Sequence, residues 1–297
     1  MTLSRLADRP LSFIAGLGEI ASAYDLVLCD VWGVLHNGVV AFPPAADALI
    51  RFREQGGLVV LVSNAPRPGS GVVRQLDRLG VPRSAFDGVM TSGDLTRMTV
   101  AERSGQPLHH IGPERDRPIF DGLDAPLGPL DKARYVVCSG FFDDERETVA
   151  DYDDRLNLMR ERAMLMICAN PDLVVERGHE LLPCAGAIAA SYEQRGGEVF
   201  YAGKPHAPVY EAALALAAKL SGEGPIAPER VLAIGDAIRT DIAGAARFGI
   251  ASLLVTRGIH AGELAPDGGS PVSSHVQDWL TRQEARPNFV AETLAWS

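Results

Sequence analysis

Residues 26–38 read LVLCDVWGVLHNG. Four apolar residues end on Asp30, and a turn carrying Trp32, Gly33 and Gly38 follows. The run shows no alternation of apolar and polar positions, so it predicts a strand covered on both faces, as in a parallel sheet. A carboxylate at the end of such a strand stands where open parallel sheets bind their ligands.

The surrounding chain alternates strand and helix. A helix is expected over 45–55, after Pro43-Pro44 and stopped by Gly56-Gly57, then a strand over 58–62. A helix over 67–79 closes at Gly80, and a short strand begins at 89. The same grammar returns with a strand over 199–202, a helix over 208–220 and a strand over 230–234 that ends at Gly235-Asp236. A helix over 240–248 and a strand over 251–255 complete the series. Such alternation predicts an α/β fold, a doubly wound, Rossmann-like parallel sheet with right-handed crossovers. Residues 93–195 carry strands (135–139, 164–169) and helices (145–162, 186–195) of their own. They read as an inserted α/β domain, which leaves 1–92 plus 196–297 as the core. An insertion at the carboxyl edge of the sheet can close over a site there.

The 297 residues, 46% hydrophobic and 22% charged, have enough apolar content for two domain cores. Twenty-eight Lys and Arg against 38 Asp and Glu give a net charge of −10, with no basic run, so nucleic acid is not an expected partner. An anion site must therefore be built locally, from a metal, a lysine or backbone N–H groups. No apolar run approaches the roughly 18 residues of a membrane span. Arg5, Asp8 and Arg9 precede a short, glycine-interrupted apolar stretch that makes a poor signal peptide. No membrane partner is expected, and the cytoplasm is the default location. Cys29, Cys138, Cys168 and Cys184 lie far apart without CxxC spacing and read as small buried hydrophobes, not disulfides or a zinc site. The tail FVAETLAW (289–296) can dock on the core or on a second subunit, which leaves a homodimer open.

Four strand ends present reactive side chains: Asp30, Ser63-Asn64, Lys204 and Asp236. Each type suits phosphoryl transfer. Asp30 can attack phosphorus to form an aspartyl-phosphate, splitting a hard hydrolysis into two steps. Asp30, Asp236 and Asp241 suit Mg²⁺, a hard cation bound through a few carboxylates, a carbonyl and waters. Lys204 adds a positive point charge, and Ser63 can donate a hydrogen bond to the phosphoryl oxygens.

DVWGV (30–34), LVSN (61–64), GKP (203–205) and GDAIRTDIAGA (235–245) resemble, in order, the four motifs of the haloacid dehalogenase superfamily of phosphohydrolases. The long insertion between the second and third motifs resembles the class II (C2-type) caps. GKPHAPVYE, GDAIRTDIAGA and CANPD (168–172) resemble subclass IIA, which includes sugar phosphatases, 4-nitrophenylphosphatases and pyridoxal phosphatases. The resemblance spans about residues 24–260. It implies that Asp30 is the nucleophile and a magnesium ligand, with the Trp32 carbonyl and Asp236 as further ligands and Asp241 in support. Ser63 would hold the phosphoryl group, Lys204 would neutralise charge, Asn64 would lie near the site, and Arg67 could reach it. Asn170 or Asp172, in the cap, would read the leaving group, although Asx residues beside proline are also common turn formers. The implied substrate is a small phosphorylated metabolite, a sugar phosphate or similar phosphomonoester, selected by the cap.

One position departs from the pattern. Phosphatases of this superfamily usually carry a second aspartate two residues after the nucleophile, which protonates the leaving group and later activates water. Here the residue is Trp32, and an indole can neither give nor take that proton. General acid–base catalysis contributes about 10²–10⁴-fold, so a slow enzyme is expected unless something substitutes. Metal-bound water, the substrate, His36 or His206 could stand in, although turn and capping duties are the simpler reading of the two histidines. The chain could instead act on C–halogen or C–P bonds, or bind a phosphorylated metabolite with weak or no turnover. Asp30, Ser63, Lys204 and Asp236 are all present, which favours the phosphatase. His109-His110 lie on a cap strand with no carboxylate at metal spacing, so no second metal is expected there.

Overall fold

The computed structural model describes residues 11–177 and 180–297. The first strands are β1 (Ser12–Phe13), β2 (Leu26–Cys29), β3 (Leu58–Ser63), β4 (Gly88–Thr91), β5 (Leu108–Ile111), β6 (Tyr135–Cys138) and β7 (Leu165–Cys168). They are followed by β8 (Val174–Arg177), β9 (Glu180–Pro183), β10 (Glu198–Tyr201), β11 (Val231–Gly235), β12 (Ala251–Val255) and β13 (Phe289–Ala291). The described residues divide into two compact units, one of 11–63, 73–90 and 210–297, the other of 64–72, 91–177 and 180–209.

The first unit is built on a sheet of order β1-β13-β12-β11-β2-β3-β4. Its ladders from β1 through β3 are all parallel. From β2 the chain winds outward to β3 and β4. It returns at β11, on the other side of β2, and winds outward again. Strand order therefore reverses between β2 and β11, and at such a switch point a crevice opens at the carboxyl ends. Every residue of β2, β11 and β12 is buried, as their unbroken apolar sequences require. Burying each Leu, Val or Ile there contributes about 1.5–3 kcal/mol. The helix Pro43–Glu54 turns Ala45, Ala48, Leu49 and Phe52 inward, with proline in its first turn where no N–H is needed. The C-terminal tail docks on this same sheet, because β13 pairs with β12.

The second unit has a parallel sheet of order β10-β7-β6-β5 and a separate antiparallel pair, β8 with β9. Alternate residues of β6 serve two apolar clusters: Val136 and Cys138 join Tyr152 and Tyr192, while Tyr135 and Val137 join Leu108 and Phe120. That is the period-two geometry of a strand covered on both faces. All four cysteines are free and buried. No helix among the described residues is long and apolar enough to cross a membrane.

Three elements differ from the sequence expectation. The strand near 199–202, expected in the core sheet, pairs with β7 through Glu198↔Leu165 and Tyr201↔Cys168, at the edge of the second sheet. A four-residue apolar strand carries no mark of which sheet it joins. The helix expected from 145 starts later, because Thr148 and Asp151 form a capping box before Val149–Tyr152 and Asp153–Glu161. Upstream, the Asp143 N–H donates to Glu147 at 2.9 Å and makes a turn instead. The helix expected over 240–248 opens with a wide π turn, Ile238–Ile242, before Ala243–Phe248.

Candidate active site

The Asp30 N–H donates to the Ile234 carbonyl at 2.8 Å, extending the β2–β11 ladder by one residue. Because Cys29 pairs with Ile234, Asp30 and Asp236 leave the sheet side by side at the switch point. The π turn then brings Asp241 back toward Gly235. Ligand oxygens of Asp30, Asp236 and Asp241 lie within 4.8 Å of one another. Asp236 is 5% and Asp241 3% exposed, and Asp30 is half-buried.

Small residues make this crowding feasible. A Cβ at Gly33, where φ is +81°, or at Gly258 would overlap the Asp236 carboxylate, and one at Gly235 would overlap Asp241. Asp236 Oδ2 accepts from the Ile259 N–H at 2.7 Å, and Asp241 Oδ2 accepts from the Ala237 N–H at 3.1 Å. The wide turn at Ile238–Ile242 is of a kind that recurs at functional sites. Ser63 closes β3 and is buried.

Carboxylates this close repel one another by about 3 kcal/mol per pair at an effective dielectric constant of about 20. A divalent cation relieves that cost, and an all-oxygen donor set of few carboxylates suits Mg²⁺ better than a thiol- or imidazole-seeking metal. The residues therefore fit the expected ion.

Trp32 belongs to a tight loop. Its indole lies against Gly38, where a Cβ would overlap the ring, and stands edge-on to His36 with centroids 5.2 Å apart. The Gly33 N–H donates to the His36 carbonyl at 2.8 Å, and the Gly38 N–H donates to His36 Nδ1 at 2.9 Å. His36, 1% exposed, is thus a builder of this turn.

The second unit gathers another set. Asn64 Nδ2 donates to Asp172 Oδ1 at 2.9 Å and to the Lys204 carbonyl at 3.0 Å. Its Oδ1 accepts from the Lys204 N–H at 2.8 Å and from Ser92 Oγ at 3.3 Å. Both N–H bonds and both lone pairs of this amide are used, so Asn64 ties three chain segments together. A Cβ at Gly203 would overlap Ser92 and Asn64. Asn170 Oδ1 accepts from the Asp172 N–H at 3.0 Å, the Asx turn that proline favours. Lys204 is buried, and the Arg67 carbonyl accepts from Thr91 Oγ1 at 2.7 Å. His206 stacks on Tyr201 at 4.3 Å.

Asp30, Asp236 and Asp241 thus converge in the first unit, and Asn64, Asn170, Asp172 and Lys204 in the second. Gly258-Ile259 and Ser92 escaped the sequence reading. Each stands just beyond a strand, β12 and β4, so the rule that found Asp30 and Asp236 could have found them. Because Gly258 does not have a positive φ, Gly258→Ala tests the steric cradle without left-handed backbone strain. The Mg²⁺ concentration giving half-maximal activity is expected to rise at least about tenfold, since small displacements in a site cost factors of this size or more. An unchanged value would show that Asp236 does not need its present position.

Comparison with known proteins gives a consistent pattern. A family model described as haloacid dehalogenase-like hydrolase matches residues 27–125, and a second hydrolase-like model of that type matches 201–297. A crystal structure of a haloacid dehalogenase-like family hydrolase from Brucella suis 1330 shares 44% identity, covering 95% of this chain and 100% of that one, with a TM-score of 0.82. The ribonucleotide monophosphatase NagD of Escherichia coli K12 is 28% identical over 237 residues, 78% of this chain and 88% of its own. A glycerol-3-phosphate phosphatase of Gallus gallus is 26% identical over 308 residues, covering 94% and 93% of the two chains.

Proposed function

The chain belongs to the haloacid dehalogenase-like hydrolase family as a phosphatase-type enzyme of subclass IIA, and we propose on that premise that it hydrolyses a small phosphomonoester through an aspartyl-phosphate on Asp30. The observation that carries the reading is the meeting of the Asp30, Asp236 and Asp241 oxygens at the switch point of the sheet. Held by these three carboxylates and the Trp32 carbonyl, Mg²⁺ would supply positive charge beside the reacting phosphoryl group.

The Asp30 carboxylate attacks phosphorus, the bond to the leaving oxygen breaks, and an acyl-phosphate remains on Asp30. Water then attacks that phosphorus, phosphate departs, and the carboxylate is restored. Ser63 donates a hydrogen bond to the phosphoryl oxygens, and the Lys204 ammonium offsets their charge. Asn64, through both backbone groups of Lys204, fixes where that lysine starts. Trp32 supplies no proton to the leaving oxygen, so leaving groups that depart readily as anions are favoured, and turnover of alkyl phosphates is slow. Four buried free thiols fit a reducing compartment, and we place the reaction in the cytoplasm.

The test is hydrolysis of p-nitrophenyl phosphate with Mg²⁺, after chelation, and after Mg²⁺ is restored. Turnover that disappears with the chelator and returns with the ion is expected. Absence of turnover, with tight binding of phosphate or of a fluoride–metal phosphate mimic, would favour the binding protein that the Trp32 substitution also permits.

A further inference from the structure

We propose that His260 is a positioning residue for the Mg²⁺ site: from the C-terminal segment it holds the π turn that carries Asp241 at its present distance from Asp236. The inference rests on the ion site of the phosphatase reading above and gives a role to the segment 260–280. All the residues involved lie in the first unit.

The π turn is closed by a shared bond. The Ala237 carbonyl accepts from the Asp241 N–H at 3.0 Å and from the Ile242 N–H at 3.3 Å, so one oxygen serves both the α and the π spacing. Which of the two dominates sets where Asp241 points. The first N–H groups of a helical turn find no acceptor inside it, and here they are met from outside. The Ala237 N–H donates to the Asp241 carboxylate at 3.1 Å, and the Ile238 N–H donates to His260 Nε2 at 3.3 Å. Ile238 is 1% exposed, so the ring supplies an acceptor where water has no access.

The proton order of the ring follows. Because Nε2 accepts, the neutral imidazole carries its proton on Nδ1, which donates to Glu263 Oε1 at 2.9 Å. Glu263 Oε2 accepts from Trp279 Nε1 at 3.1 Å. The bond from His260 holds the Glu263 carboxyl below its usual range, helped by Trp279 and opposed by burial. A carboxylate on one ring nitrogen fixes the tautomer and the ring's orientation, so the other keeps its lone pair toward Ile238. Trp279 also lies against the ring, with centroids 4.8 Å apart, and packs with Ile238 and Ile242 in one apolar cluster. The helix Ser273–Leu280 thus supports the π turn twice, by packing and through the Trp279–Glu263–His260 chain.

The same loop holds the other carboxylate. Gly258 leaves room for Asp236, the Ile259 N–H donates to it, and His260 follows directly. The loop is itself anchored, since the Thr256 and Arg257 N–H groups donate to the Ala291 and Glu292 carbonyls, each at 3.0 Å. Three consecutive residues therefore fix Asp236 directly and Asp241 through its turn. His260 is not itself an ion ligand, because both ring nitrogens are already bonded.

The experiment is calorimetric titration of Mg²⁺ into the wild type, His260→Asn and His260→Gln. Asn keeps an NH₂ near the Nδ1 position for Glu263 but is too short to reach Ile238, whereas Gln extends its amide oxygen to the Nε2 position. His260→Asn is expected to raise the Mg²⁺ dissociation constant at least about tenfold, the size typical of groups that orient metal ligands, and His260→Gln to stay within about threefold of the wild type. A purely structural role would lower the amount of Mg²⁺ bound at saturation and leave the constant in place. A constant within twofold of the wild type in His260→Asn, or equal losses in the two variants, overturns the proposal. If His260→Asn does not fold, Glu263→Leu frees the ring instead, with the same tenfold expected and the same twofold result overturning. A wild type that binds Mg²⁺ but turns over no phosphoester overturns the phosphatase reading, while the constants still decide the role of His260, and the two failures are told apart.

Discussion

Replacing Asp30 by Asn should abolish turnover, with kcat falling on the order of 10⁴–10⁶-fold for every phosphoester tested. The amide keeps the shape of the side chain but is a poor nucleophile, and it withdraws one charge from the carboxylate trio. A misfolding explanation is excluded by the same variant. Three carboxylates within 4.8 Å strain the metal-free protein, so Asn at this position should raise its unfolding midpoint in chelator while lowering Mg²⁺ affinity. Loss of activity with a higher metal-free midpoint is the expected pair of results. Retained activity in Asp30→Asn would remove the nucleophile from the account.

The second large effect runs the other way. Trp32→Asp supplies a carboxyl at the position where related phosphatases hold their acid, and alkyl phosphate turnover should rise by about 10²–10⁴-fold. The gain should be smaller for p-nitrophenyl phosphate, whose leaving group scarcely needs a proton. The indole packs on Gly38 and against His36, so the variant should lose stability, by about 1–3 kcal/mol, when that packing goes. An equal or lower rate in a folded variant would contradict the missing-acid argument. It would mean that another group already supplies the proton.

The core sheet was legible in the sequence because its strands are unbroken apolar runs punctuated by glycine, and the run before Asp30 led directly to the switch point. Asp30 and Asp236 were legible for the same reason, since strand termini are positions that a sequence can mark, whereas Asp241 sits in the π turn beyond β11 and was marked by the resemblance of GDAIRTDIAGA instead. The sheet that the strand near 199–202 joins was not legible, because the choice depends on pairing with β7, whose partner residues (Glu198↔Leu165, Tyr201↔Cys168) lie far upstream. Asn64 was read as a neighbour of the phosphate, but the amide is occupied by Asp172, Ser92 and the Lys204 backbone. Those partners lie 28 to 140 residues away, and no local pattern announces them. The Trp279–Glu263–His260 chain to the π turn was invisible for the same reason. Its members stand on three separate segments, at 238, 260–263 and 279, joined only by the folded chain.

The most direct test of the aspartyl-phosphate is to trap it. Enzyme turning over p-nitrophenyl phosphate with Mg²⁺ is quenched, treated with borohydride, which reduces an acyl-phosphate to an alcohol, and digested for mass spectrometry. Homoserine at position 30, absent without substrate, is the predicted result; an intact Asp30 with the reduction found at another carboxylate, such as Asp236, would contradict it.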